Sequence, residues 1–129
     1  MRAEQLLRLH SELMVITTMC RQGGKGENLA SAYGDFTKKN IGVLHDAEQT
    51  MITYYQNKGN PNPVDGLDRL RTKLGNEFGQ KAAMMSAPAF CAAYRDKVLQ
   101  FDAAAPLTIE KEIQNMEIST HAYVKACHA

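Results

Sequence analysis

Three cysteines, Cys20, Cys91 and Cys127, and four histidines, His10, His45, His121 and His128, carry the thiol and imidazole chemistry of this chain. Such groups can close a disulfide, hold zinc or pair as nucleophile and base, but only where the chain brings them together in space. The cysteines share one property: each lies on an apolar stripe of helical period. Cys20 completes the row Leu6, Leu9, Leu13, Ile16, and Cys91 belongs to the row Phe90, Tyr94, Val98, Phe101. Cys127 ends the row Ile109, Ile113, Met116, Thr120, Tyr123. In a bundle whose rods alternate in direction, all three rows deliver their cysteine to the same end.

Three readings of that convergence compete. In the plainest, the cysteines are small buried core residues, since free cysteine is among the most buried types. In the second, Cys20 and Cys91 form a disulfide in an oxidising compartment and leave Cys127 free; closing so long a loop stabilises by about 4 kcal/mol in the chain-entropy account. In the third, the cysteine end joins Cys127, His128 and His121 as a metal or haem site. Zinc sites normally include a close ligand pair such as C-x-x-C. The only close pair here is Cys127-His128, and neighbouring residues on a helix point in different directions.

Val124-Lys125-Ala126-Cys127-His128 resembles the haem-attachment end of cytochromes c prime, helical bundles with a C-x-x-C-H motif near the C-terminus. The resemblance implies a thioether from Cys127 and iron ligation by His128. It covers these five residues only, and Val124 stands where that family has its first cysteine. A chance Cys-His dipeptide is therefore the preferred reading, and no cofactor is expected.

Other motifs fail on spacing. A di-iron bundle needs Glu-x-x-His on two helices, whereas His45-Asp46-Ala47-Glu48 runs in reverse and Glu117 precedes His121 by four. Each histidine is expected to be exposed or capped rather than a ligand. Gly23-Gly24-Lys25-Gly26-Glu27-Asn28 has glycines before a helix start, but no strand precedes it and the P-loop spacing is missing, so an interhelical turn is expected. No nucleophile elbow, zincin helix or calcium loop occurs. Tyr33, Tyr54, Tyr94 and Tyr123 lie on or near the apolar stripes, where they suit either inter-helix packing or a groove for an apolar ligand.

The elements that must position these residues are all helical; no stretch alternates apolar and polar residues over a strand's length. Five helices are expected: about Glu4 to Gln22; Asn28 to Asn57, with Leu29, Tyr33, Phe36, Val43, Ala47, Met51 and Tyr54 as its stripe; Pro63 to Met85; Pro88 to Phe101; and Ile109 to Cys127. Lys58-Gly59-Asn60-Pro61-Asn62-Pro63 is the sharpest turn, with Asn62 as N-cap and Pro63 at the first helical position. Gly75 and Gly79 share one helix face and are expected to allow close packing within the domain. Short connections favour antiparallel neighbours. The expected fold is therefore all-α, a single domain over residues 1–129 built as a mostly antiparallel bundle.

Composition narrows function by exclusion. The 129 residues carry 15 basic and 14 acidic side chains, a net charge of +1, which argues against a nucleic-acid binder working by phosphate neutralisation. No apolar run is long enough for a membrane-spanning segment. Met1-Arg2-Ala3-Glu4-Gln5 leads into an amphipathic stretch rather than a signal core. That start fits a periplasmic or otherwise exported domain with its signal removed, the preferred localisation, or a cytoplasmic protein. The functional expectation is a small non-enzymatic interaction or structural protein of the bacterial envelope, binding a protein partner or itself through a helix face. The alternative is a metal- or haem-binding carrier using the Cys/His end.

Overall fold

The structure is a computed structural model that describes residues 2–102 together with Glu112. Over those residues the chain is an all-α bundle: α1 Arg2–Cys20, α2 Leu29–Lys39, α3 Ile41–Asn57, α4 Pro63–Ala83 and α5 Ala87–Asp102. The expected helix from Ile109 to Cys127 falls outside the described residues. Among the described residues there are five helices, because the rod expected from Asn28 to Asn57 is two helices.

The break lies at Asn40. Its backbone N–H and its side-chain Nδ2 both donate to the Phe36 carbonyl oxygen, at 3.1 and 2.9 Å. An Asn amide that bonds back into the preceding turn offers the backbone an alternative to continuing the helix. Asn40 accordingly leaves helical geometry (φ −112°, ψ 16°), and its carbonyl oxygen accepts from Leu44 N–H as α3 begins. The new helix starts in a different phase. Leu44, Ala47 and Met51 face the core, while Val43 and Tyr54, which a continuous rod would bury, are 48% and 38% exposed.

The other ends follow local chemistry. α1 stops at Cys20, two residues before the expected Gln22, because Arg21 takes a left-handed conformation (φ 65°). Asn28 caps α2, its Oδ1 accepting from Ser31 N–H at 3.0 Å. Asn62 caps α4 by accepting from Asp65 N–H, with Pro63 in the first turn. Ser86 Oγ accepts from Ala89 N–H at the start of α5. Each cap satisfies an amide that the helix cannot reach, worth about 1 kcal/mol.

α1 is the axis of the bundle and packs against α2, α3, α4 and α5; α2 also packs on α5, and α3 on α4. This explains why α1 is buried on more than one side: Ala3, Leu6, Leu7, Leu9, Leu13 and Ile16 are all core residues, with Gln5 and Ser11 buried beside them. Leu67, Leu70, Leu74 and Phe78 bring α4 into that core, and Phe90, Val98 and Phe101 bring α5. α4 and α5 meet chiefly through aromatic edges, Phe78 lying 5.6 Å from both Phe90 and Tyr94. Fully burying each such side chain contributes about 1.5–3 kcal/mol.

Gly75 and Gly79 do not mark a close approach: no described atom lies within 4 Å of where their Cβ would be. The expectation of tight packing there is corrected, because the α4 stripe that meets its neighbours runs through Leu70, Leu74 and Phe78. Among the described residues no helix is long and apolar enough to cross a membrane.

Candidate functional site

α1 ends at Cys20, and α5 carries Cys91 in its second turn. Their Cα atoms are 5.5 Å apart and their sulfurs stand at disulfide distance, joining positions 71 residues apart in sequence. That Cα spacing is typical of a crosslink. Both residues pack against the apolar core and are partly buried. Alternating rods were expected to gather the cysteines at one end, and Cys20 and Cys91 do meet, as the disulfide reading among the three requires. Cys127, His128 and His121 lie outside the described residues, so the third cysteine and the alternative metal or haem ligands have no described position. Among the described residues no three His, Cys, Asp or Glu side chains gather in a form that could hold a metal ion.

The loop that follows Cys20 is tied to the same end. Arg21 N–H donates to Thr17 O, and Leu29 N–H closes the loop back onto Arg21 O at 3.0 Å. Gly23 N–H donates to Glu27 O at 2.9 Å, and Gly26 turns the chain with φ 80°. Gln22 and Asn28 form an isolated antiparallel bridge. Gly24 N–H then reaches across to α5 and donates to Asp96 Oδ1 at 3.2 Å. The interhelical turn is thus docked on α5 beyond the position where Cys91 is crosslinked. A shallow depression of about 630 Å³ opens beside it, lined by Thr17, Arg21, Gln22 and Asn28 among others.

A second cluster joins four helices. His10 of α1 stacks on Tyr33 of α2, with centroids 5.5 Å apart and planes at 24°, and its Nε2 is 2.8 Å from the Tyr33 hydroxyl. Arg71 of α4 and Glu48 of α3 form an ion pair at 2.7 Å. Burial lowers the His10 pKa, the Arg71 charge lowers it further, and Glu48 opposes them. Burial also raises the Tyr33 pKa, so its hydroxyl keeps its proton. The arrangement holds a neutral imidazole against a neutral phenol, a polar tie across the bundle rather than an ionised acid–base pair.

His10 is half-buried, its Nε2 capped by the Tyr33 hydroxyl. The sequence signal lies in α1 itself: Leu7 cannot share a narrow stripe with Leu9 and Leu13, so α1 must be covered on several sides, His10 included. His45 is exposed, and Glu48 turns to Arg71, so the two do not share a cleft. Of the tyrosines, Tyr94 joins the Phe78–Phe90 packing, Tyr33 holds His10, Tyr54 lies at the surface beneath Lys58, and Tyr123 falls outside the described residues.

Comparison with known protein families, curated proteins and solved structures finds no match for this chain. What the site can do rests on its own geometry.

Proposed function

We propose that this chain is a disulfide-clamped, non-enzymatic helical interaction protein that works in an oxidising compartment of the cell envelope. The observation that carries the reading is the Cys20–Cys91 pairing. Disulfides persist where thiols are not kept reduced, as in exported proteins, and are rare in cytosol. A clamp that fixes α1 to α5 suits a scaffold that must present a rigid surface.

The surface that supports binding lies between α1 and α3. Ala3, Leu6, Val43 and Ala47 line a groove of about 410 Å³, with Arg2 and Asp46 at its rim. Val43, 48% exposed, leaves part of that apolar surface open to solvent. An apolar groove rimmed by both charge signs fits a partner protein presenting a short apolar row flanked by charges.

Two experiments test this. Acid-quenched native cells, alkylated under denaturing conditions, are expected to yield protein in which Cys20 and Cys91 escape alkylation; full alkylation of both contradicts the compartment. A photo-crosslinking residue at Val43 is expected to give one discrete adduct that Asp46→Lys at the rim suppresses, whereas the same residue at Met84, 90% exposed, is expected to give none. Identical adducts at both sites contradict the groove, and an adduct of twice the chain mass identifies the partner as a second copy.

A further inference from the structure

A different cavity lies further along α3, towards its C-terminal end. A cleft of about 440 Å³ lies where the end of α3, the turn after it and the first half of α4 meet the start of α1. This volume falls within the range of small-molecule sites. Its floor is apolar: Met51 and Leu70 are core residues, 2% and 8% exposed. Its walls are Tyr54 and Tyr55, set edge to face with centroids 5.4 Å apart. Arg69 and Lys73 of α4 and Asn60 of the turn line the mouth, with Glu4 on the α1 side.

The polar inventory of this cleft is open. Among the described residues, Lys73 has no ion pair and neither tyrosine hydroxyl has a hydrogen-bond partner. Arg69 Nε is held by Asp65 Oδ2 at 2.9 Å and is otherwise largely exposed. Glu4 is turned partly to Arg8, 3.8 Å away. Of the charged side chains that line the cleft two are cations, Arg69 and Lys73, and one is a carboxylate, Glu4, beside two rings and an apolar floor.

The backbone is shaped to keep this cleft. Gly66 lies in the first turn of α4 with the Tyr55 ring directly against it; a Cβ there would stand 2.9 Å from Tyr55 Cγ and 3.1 Å from Asn60 Nδ2. Asn60 is held in turn, its Oδ1 accepting from Asn62 N–H at 2.8 Å. Glycine at position 66 lets the ring sit against the helix and fixes the Tyr55 and Asn60 walls together.

We propose that this cleft is a binding site for a small planar organic carboxylate bearing a hydroxyl, taken up with its anion on Lys73 and Arg69, its ring on Tyr54, Tyr55 and Leu70, and its hydroxyl donating to Glu4. Each feature is needed. The two cations favour an anion, and guanidinium and ammonium donors suit a carboxylate. The rings and buried floor favour a flat apolar body over a hydrated inorganic ion. The site is separate from the α1–α3 groove and does not depend on the protein-binding reading.

The test is an amide NMR titration of the full chain, following the Gly66 backbone and Asn60 side-chain signals. The probes are 4-hydroxybenzoate, its uncharged analogue 4-hydroxybenzyl alcohol, and inorganic phosphate. 4-Hydroxybenzoate is expected to shift both signals saturably at roughly millimolar concentration or below. Lys73→Gln and Arg69→Gln, both at exposed positions, are expected to weaken that binding by about tenfold each, with the fold unchanged in the same spectra. Lys25→Gln, in the loop after α1, is expected to leave it unchanged. The absence of saturable shifts overturns the proposal. Equal binding of the alcohol overturns the role of the cations, and equal binding of phosphate overturns the role of the rings.

Discussion

The Tyr33 hydroxyl lies 2.8 Å from Nε2 of His10, with the two rings stacked between α1 and α2. Because burial and the Arg71 charge both lower the His10 pKa, the folded state holds this ring neutral where an unfolded chain would begin to protonate it. The unfolded state therefore binds more protons as pH falls through 6.5 towards the lower folded value, and stability falls with it. Urea denaturation between pH 7.5 and 5 is expected to show this loss. His10→Gln is expected to flatten the slope over that window; an unchanged slope contradicts the assignment. Tyr33→Phe, which strips the ring of its partner, is expected to cost about 1 kcal/mol at pH 7.

Gly66 and Gly34 are expected to respond to alanine in opposite directions. At Gly66 the new methyl meets the base of the Tyr55 ring at 2.9 Å, so the whole ring must shift rather than a flexible tip, and overpacking of this kind costs about 1–3 kcal/mol. At Gly34, within α2, no described atom lies within 4 Å, so the better helix propensity of alanine is expected to stabilise by about 0.5–1 kcal/mol. Thermal unfolding of the two variants checks both signs. Tyr55→Ala, which empties the space above Gly66, is expected to remove most of the Gly66→Ala penalty in a double-mutant cycle.

Lys97 of α5 is expected to behave as a structural cation. Its Nζ lies 2.9 Å from Glu12 of α1 and 3.4 Å from Glu112, with the Lys97 and Glu12 side chains only 22% and 17% exposed. Burial lowers its pKa, but the charges and hydrogen bonds of Glu12 and Glu112 outweigh that and raise it overall. Its contribution is thus fully present at every pH below the unfolded lysine value and is lost only as pH rises through the higher folded one. Lys97→Met leaves Glu12 partly buried without its cation and is expected to cost about 1–3 kcal/mol. Glu12→Gln combined with Lys97→Met is expected to cost less than the sum of the single changes, read from chemical denaturation midpoints.

Much of this architecture was legible from residue spacing. The rows on α1, α4 and α5 are the buried rows, and the Asn62-Pro63 start of α4 follows directly from its capping chemistry. Asn40 shows where spacing fails. Nothing in the apolar pattern separates one long helix from two shorter ones, because Leu44 and Val43 are both apolar and either could carry the stripe onward. The side-chain hydrogen bond from Asn40 to Phe36 O decides between them, and the buried row of α3 then runs through Leu44, Ala47 and Met51, leaving Val43 and Tyr54 exposed. The meeting of Cys20 and Cys91 at one end was legible because it needs only alternating directions, whereas spacing left their crosslinking open beside buried-core and metal readings. The His10–Tyr33 contact and the Tyr54–Tyr55 cleft were not, since each depends on how neighbouring helices rotate about their axes, which no single helix encodes.

Removing the crosslink is expected to weaken the fold without dissolving it. The disulfide spans 71 residues, and the chain-entropy account assigns such a loop about 4 kcal/mol. Cys20→Ala with Cys91→Ala is expected to lose most of that in denaturant unfolding while keeping its helical circular dichroism, because Leu9, Leu13, Ile16 and Phe90 remain fully buried without it. A double variant as stable as the parent contradicts a stabilising role.

The most direct measurement is the intact mass of protein taken from its native cells under acid quench and alkylated in denaturant, with and without prior reduction. The chain has three cysteines. With Cys20 joined to Cys91, the unreduced protein is expected to carry no label at either residue and to gain two further labels after reduction. Label on both Cys20 and Cys91 before reduction would contradict the clamp, and with it the assignment to an oxidising compartment.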